Sequence, residues 1–218
     1  MSLLKKLLPR ALLLLSGLIV GIIAATALFV FTGFSFFDRF SKEAPPSGDM
    51  SNTELTTLAF SVLEYIKSGD YYALSNIAHP EFGVVFSPHA TVTPSTNRCF
   101  RADQIAAFGD DTNVYVWGIL SGSGEPIEMT PVDYFYKFVF DKDYTAAPVV
   151  GINHIVRSGN ALENITEVFP NVKFVDFHIA GGDMDPTDDF AWSSLRLGFE
   201  EYDGRLRLTV VIHSMWTV

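Results

Sequence analysis

Five polar side chains have the residue types and spacing that catalysis could use. Asp176 and His178 alternate within one apolar segment, so a strand would place both on one face. Arg196 and His213 fall on the polar face of a predicted hairpin, where they could bind a carboxylate or move a proton. His79 precedes Pro80 at the end of a predicted helix. Each also has a structural explanation, as a solvated sheet residue or as a histidine that binds helix-end carbonyl groups.

Three further residues are candidates for ligand binding: Trp117, Glu125 and Trp216. Packing in the core is the alternative for both tryptophans, and an exposed turn is the alternative for the glycine-rich stretch around Glu125. A phosphate-binding loop is excluded there, because no Lys-Ser/Thr pair follows the glycines. The sequence therefore predicts at most a ligand site whose chemistry it leaves open.

Metal and cofactor motifs are sparse, and we expect no cofactor. The histidines lack the HExxH and H-x-H spacings of metal sites. Dense carboxylates can bind calcium, but the loop GGDMDPTDD lacks the glycine and the closing glutamate of an EF-hand. It is more simply a solvated turn. Its four weak metal candidates are Asp183, Asp185, Asp188 and Asp189.

The elements that would position these residues begin with a confident helix. Ser51 and Glu54 have capping-box spacing, and apolar residues recur every three or four positions behind them, which predicts a helix over residues 53–67. We expect further helices over 71–78, 103–108 and 130–140, the last with Val132, Tyr136, Phe138 and Val139 as candidate buried residues. The predicted strands cover residues 84–87, 113–120, 149–157, 163–169, 172–179, 192–202 and 205–217.

The last two strands flank Asp203-Gly204, a strong signal for a type I′ hairpin. Pairing Tyr202 with Arg205 places Phe199 opposite Leu208, and Leu195 opposite Ile212. That register gives one apolar face and one charged face, as in a half-buried antiparallel sheet.

The N-terminal segment predicts a membrane anchor. No charged residue occurs between Arg10 and Asp38, and about 20 apolar residues suffice to span a bilayer. Lys5, Lys6 and Arg10 precede this run, so we expect the N-terminus in the cytoplasm and the C-terminal domain outside it. A cleaved signal peptide is the alternative, because Ala25-Thr26-Ala27 resembles a cleavage site. Residues 1–37 are thus the predicted transmembrane signal-anchor, and 38–52 a flexible linker.

Charge excludes one class of partner. From Asp38 onward the chain carries 12 basic and 25 acidic residues, a formal charge of −13. So acidic a domain repels phosphate backbones, and we expect no nucleic-acid binding.

Two resemblances extend this interpretation. The opening ELTTLAFSVLEYIKSGDYYALSNIAHP, followed by a long sheet, resembles the NTF2-like (SnoaL-like) α+β cone fold, in which N-terminal helices pack on a curved antiparallel sheet. The stretches His79-Pro80-x-x-Gly83-Val84-x-Phe86-Ser87-Pro88, Gly122-Ser123-Gly124-Glu125-Pro126-Ile127 and Leu195-Arg196-Leu197-x-Phe199-Glu200-Glu201-Tyr202 resemble a family of uncharacterised exported bacterial proteins, often lipoproteins. This chain departs from the lipoprotein members because it lacks an acylated cysteine, and a transmembrane anchor would replace the lipid.

The resemblance implies that residues 53–218 form an extracytoplasmic NTF2-like domain. We expect a non-catalytic domain that binds a small molecule or an envelope protein. One alternative is a SnoaL-like enzyme (an isomerase, dehydratase or hydrolase) with Asp and His in its cavity. Another is a structural accessory domain of the envelope. A homodimer is expected by analogy only.

Overall fold

The computed structural model describes residues 51–181 and 190–216. The predicted anchor, the linker up to residue 50 and the four aspartates of the metal-candidate loop lie outside these ranges. Within them, no helix is long and apolar enough to cross a membrane.

The domain is a mixed α+β structure, as predicted. Its helices are α1 (Asn52–Ser68), α2 (Tyr71–Ile77), α3 (Ala102–Ala106), α4 (Pro131–Tyr134), which continues as a π-helical turn (Phe135–Val139), and α5 (Ile165–Val168), with a 3₁₀ turn at Tyr144–Ala146. Its strands are β1 (Val84–Ser87), β2 (Arg98–Phe100), β3 (Tyr115–Ile119), β4 (Pro126–Met129), β5 (Val149–Ile152), β6 (Lys173–Ile179), β7 (Ser193–Tyr202) and β8 (Arg205–Met215).

Helix α1 forms where its caps and its apolar stripe predict it. The hydroxyl of Ser51 accepts from the amide of Glu54 (3.3 Å), and the Glu54 carboxylate accepts from the amide of Ser51 (3.2 Å). The helix ends at Gly69, which adopts φ +69°, a conformation that glycine tolerates best. Its buried stripe consists of Leu55, Ala59, Val62, Leu63 and Ile66.

Six strands form one large sheet in the order β2-β1-β8-β7-β6-β5, and β3 and β4 form a separate two-stranded ribbon. The large sheet is mixed, because β1 runs parallel to β8, whereas its other neighbouring strands are antiparallel. The inner face of the sheet, which carries Val175 and Leu197, packs on α1. Between the inner face and the ribbon lies a cluster of buried aromatic rings: Phe86, Phe100, Phe108, Trp117, Tyr134 and Phe135.

The opposite, outer face is also covered, which corrects the expectation of a half-buried sheet. The first eight residues of β7 are all buried. Segments 88–97 and 153–172 pack over this face and bond to each other, since the amide of Val92 donates to Asn164 Oδ1 (2.8 Å). At Gly198 the fit is tight, because an added Cβ would lie 2.5 Å from Val210 Cγ1 and 2.9 Å from Val172 Cγ2.

Three local predictions were wrong. The predicted strand over residues 163–169 is replaced by helix α5 (Ile165–Val168). Strand β5 ends at Ile152, because Asn153 turns the chain with φ +51°. Val132 and Tyr136 are exposed, not buried. The helix widens into a π turn, in which Phe140 donates its amide to the carbonyl of Phe135 (2.7 Å), and it buries Tyr134, Phe135, Phe138 and Val139.

Candidate functional site

A β-bulge separates the catalytic candidates onto two faces. The hairpin has the predicted register from Tyr202–Arg205 to Phe199–Leu208, but Gly198 then pairs with Val210, so Thr209 is an extra residue. Beyond a bulge, each side chain of the bulged strand lies on the face opposite to the one that regular alternation would give it. Leu195 therefore pairs with His213 and not with Ile212.

His213 thus lies on the inner face, whereas Arg196 lies on the outer face. The predicted Arg196–His213 pair was wrong for this reason. Asp176 and Arg196 are Cα partners, and His178 is the partner of Ser194. Asp176, His178 and Arg196 consequently share the outer face, as the alternation along β6 and β7 requires.

Arg196 is the centre of the outer cluster, which we define as Glu163, Asp176, His178, Ser194 and Arg196. Its guanidinium is fully buried, with Nη1 2.6 Å from Glu163 Oε2 and Nη2 3.3 Å from Asp176 Oδ2. Asp176 Oδ2 also accepts from the amide of Val156 (2.9 Å). The ion pairs thereby attach the covering segment 153–172 to the sheet, a structural role for Arg196.

His178 has its own partner within the outer cluster. Its Nδ1 lies 2.8 Å from Ser194 Oγ. Burial lowers the pKa of His178; the negative charge of Asp176 opposes that effect, while Arg157 and Lys142 reinforce it. Asp176 and His178 therefore hydrogen-bond to other groups and not to each other, so they do not form a catalytic Asp–His dyad.

His213 belongs to an inner cluster with Asp141, Tyr144 and Ser193, three residues that no motif in the sequence indicates. His213 Nε2 lies 3.0 Å from Ser193 Oγ and 3.3 Å from Asp141 Oδ2, and Tyr144 donates to Asp141 Oδ1 (2.6 Å). Burial tends to raise the pKa of Asp141, but His213, Tyr144 and Ser193 together stabilise its charge and leave the pKa lowered.

This inner cluster is not a catalytic triad. In a triad the carboxylate and the serine bind different nitrogens of the imidazole. Here both bind Nε2, and Ser193 is buried. The cluster instead attaches the 141–146 turn to the end of the sheet.

His79 lies elsewhere, beside the hairpin end of β8. Its amide donates to the Leu208 carbonyl (2.9 Å), and its Nδ1 accepts from the amides of Glu81 (3.3 Å) and Phe82 (3.2 Å). The ring stacks on Phe82, and burial lowers its pKa, with Glu81 opposing and Arg207 reinforcing the effect. This histidine stabilises the turn after α2 through its ring nitrogen, not by capping carbonyls.

The ligand-binding candidates also lie apart. Trp117 is fully buried, stacks on Tyr134 (3.8 Å between centroids) and donates Nε1 to the carbonyl of Met129 (2.9 Å), so it belongs to the core. Glu125 is exposed in the turn between β3 and β4. Trp216 contacts Phe190 just after β8.

An exposed apolar surface occurs on the ribbon, which no sequence motif indicated. Four side chains within or beside β3 are partly or largely exposed: Val114 by 62%, Val116 by 41%, Ile119 by 38% and Leu120 by 36%. On β4, Glu128 pairs with Val116 and Pro126 with Ile119. We call Val114, Val116, Ile119, Leu120 and Pro126 the ribbon surface.

Neither a protein-family model nor a curated protein matches the chain. In residues 51–181 and 190–216, no group of three or more His, Cys, Asp or Glu side chains is arranged to hold a metal ion.

Proposed function

We propose that this chain is a membrane-anchored binding protein whose extracytoplasmic domain binds a polypeptide partner through the ribbon surface, without catalysis. The observation that carries the proposal is the exposure of Val116 and Ile119 on β3 and of Val114 directly before it. Scattered apolar residues are normal on a surface, whereas apolar residues grouped on one element mark interaction sites.

The polar candidates support a non-catalytic role. A catalytic residue needs access to substrate and a free donor or acceptor. Asp176 and Arg196 are fully buried and paired with each other, and His213 is 2% exposed on the opposite face. These residues hold covering segments on the sheet, and the ribbon remains the part of the described domain suited to contact another molecule.

Charge indicates the chemistry of the partner. Asp110 and Asp111 precede β3, and Glu125 and Glu128 are exposed on or beside β4. Carboxylates around an apolar surface favour a partner that combines apolar residues with lysine or arginine. We therefore propose a basic amphipathic segment of another envelope protein as the partner.

The proposal includes the location and fold family of the domain. The uncharged run before Asp38 and the basic residues that precede it favour a single-pass anchor with the domain outside the cytoplasm. Two N-terminal helices followed by a sheet that buries its inner face on them favour an NTF2-like fold. Protease digestion tests the location in cells whose outer layers have been removed but whose cytoplasmic membrane is intact. The domain should be degraded, while a cytoplasmic marker protein survives.

Site-specific photocrosslinking tests the binding surface. A photoreactive amino acid at Val116 in the full chain, expressed in its native membrane, should give one discrete adduct whose partner has a basic amphipathic segment. The matched control is Leu162, which is also largely exposed but lies on the segment covering the outer face. Adding Ile119→Asp should abolish the Val116 adduct. No adduct, or the same adducts from both positions, would refute the assignment of the ribbon surface.

A further inference from the structure

The six-stranded sheet ends in two edge strands, β2 and β5, and only one of them is shielded. Proteins protect edge strands with charged side chains or with a covering element. β2 has both, because Arg98 places its guanidinium 5.0 Å from the ring centroid of Tyr115 on β3, and the ring of Phe100 lies 5.1 Å from the same centroid. β5, of sequence Val-Val-Gly-Ile, contains no charged residue. It therefore lacks the charged protection that β2 has.

The backbone of β5 presents hydrogen-bonding groups away from the sheet. Asn153, just after β5, donates its amide to the carbonyl of Phe174 (2.8 Å), which makes these two residues a hydrogen-bonded pair of the antiparallel ladder. Hydrogen-bonded and non-hydrogen-bonded pairs alternate along such a ladder. Gly151 therefore bonds to β6, whereas Val150 and Ile152 direct their N–H and C=O groups outward. In the part of the chain that the structure describes, no strand pairs with this side of β5.

Apolar side chains accompany these outward-facing backbone groups. Val149 is 46% exposed and Ile152 is 37% exposed. On the inner face of the sheet, the partly exposed Phe60 of α1 contacts Phe177, the partner of Val150, with 5.1 Å between the ring centroids. An extended chain suits both features, since its backbone would continue the ladder and its side chains would cover the apolar ones. The occupant that fits this edge is therefore a β-strand.

We propose that this strand is β5 of a second copy, and that the pairing joins two six-stranded sheets into one continuous sheet across a symmetric homodimer. An antiparallel pair with its twofold axis at Gly151 places Val150 opposite Ile152 of the second copy. Every outward-facing backbone group of Val150 and Ile152 then has a partner. A pair centred on Val150 would instead place Ile152 opposite Pro148, which has no N–H to donate. The register centred on Gly151 is therefore the favoured one.

The distribution of charge is compatible with a second copy at this edge. The chain is strongly acidic from Asp38 onward, and two such domains repel each other where their carboxylates meet. β5 brings no carboxylate of its own into the contact. Asp176, the partner of Gly151 on β6, is fully buried and paired with Arg196. The pairing of β5 with itself therefore sets no uncompensated carboxylate of these strands against another.

Covalent capture tests the dimer, because a strand of four residues makes a small interface and small interfaces are commonly transient. Two full-length copies with different tags are expressed together in the native membrane, and one of them carries a photoreactive amino acid at Ile152. We expect an adduct that contains both tags. Val132 on α4, which is 45% exposed, is the matched control position and should give no such adduct.

Val150→Pro tests whether the backbone of β5 makes the contact. Proline removes the outward N–H of this residue but no hydrogen bond to β6, and Val150→Thr is the matched control because it keeps the N–H and the branched side chain. The yield of the doubly tagged adduct should fall about 10-fold or more in Val150→Pro, since each copy loses a hydrogen bond, and should stay unchanged in Val150→Thr. Urea unfolding checks that Val150→Pro is folded. If it is not, Ile152→Lys with the photoreactive amino acid at Val149 should give the same loss.

Three results would overturn the proposed dimer. They are the absence of a doubly tagged adduct from Ile152, equal yields in folded Val150→Pro and Val150→Thr, and an Ile152 adduct that contains only a different protein, which would assign the edge to another strand. β5 and the ribbon surface share no residue, so Val150→Pro should leave the adduct from Val116 unchanged. The dimer and the contact proposed for the ribbon surface can therefore fail separately.

Discussion

The carboxyl group of Glu200 makes the stability of the fold depend on pH in a predictable direction. Glu200 lies on the outer face of β7, is 8% exposed, and has an Oε1 atom that is buried without a hydrogen-bond partner. Its partner in the register is Arg207, which directs Nη1 to the carbonyl of Asn76 (2.8 Å). Burial therefore raises the pKa of Glu200 from 4.5 to about 7.

The sign follows from proton binding. Between pH 4.5 and about 7 the folded protein retains a proton on Glu200 that the unfolded chain has released, so the free energy of unfolding falls as the pH rises through this window. One pKa unit corresponds to about 1.4 kcal/mol, which gives a total loss of about 3 kcal/mol above pH 7. Glu200→Gln should remove this loss, because the amide imitates the neutral carboxyl group.

Urea unfolding between about pH 4 and about pH 8.5 measures the effect. The fluorescence of Trp117 and Trp192, both buried, reports the transition. In the difference in unfolding free energy between Glu200→Gln and the unchanged protein, the contribution of the histidines cancels, because both proteins contain them. It should increase by about 3 kcal/mol across this range. Glu201→Gln is the control on the neighbouring, more exposed carboxylate. A flat difference curve for Glu200→Gln, or the same curve for Glu201→Gln, would refute the argument.

Two further predictions concern stability. Asp176→Ala should cost about 3–5 kcal/mol in urea unfolding, because it removes one buried partner of Arg196. Lys67→Ala, which removes a solvent-exposed ion pair, should cost much less, and equal costs would contradict the buried pairing. Gly198→Ala should cost about 1–3 kcal/mol through overpacking, while Gly109→Ala, whose Cβ would have ordinary contacts, should cost less; a tolerated Gly198→Ala would disprove the tight fit described above.

Local signals in the sequence predicted much of the fold. The capping box and apolar stripe gave α1 to within one residue at each end, because both signals arise within the helix itself. Asp203 and Gly204 both adopt positive φ, as the type I′ turn requires. The alternation of Asp176 and His178 correctly placed them on one face, since a regular strand imposes a period of two.

Tertiary contacts determine two features that local sequence signals do not predict: helix α5 and the covering of the outer face of the sheet. The sequence predicts a strand over residues 163–169, yet the structure forms α5 there, and its Ile165 packs close to Gly198. An alternating apolar pattern does not say what will cover the opposite face of a sheet. The outer face is covered by segments 88–97 and 153–172, which pair with each other far apart in the sequence.

The single extra residue Thr209 accounts for most of the difference between the predicted and the observed site. No residue type in the sequence indicates this bulge, because Leu208, Thr209 and Val210 are all compatible with a regular strand. Yet the bulge moves His213 from beside Arg196 to the inner face, next to Ser193 and Asp141. That change separates Arg196 and His213, the two side chains that would have formed an enzyme-like pair.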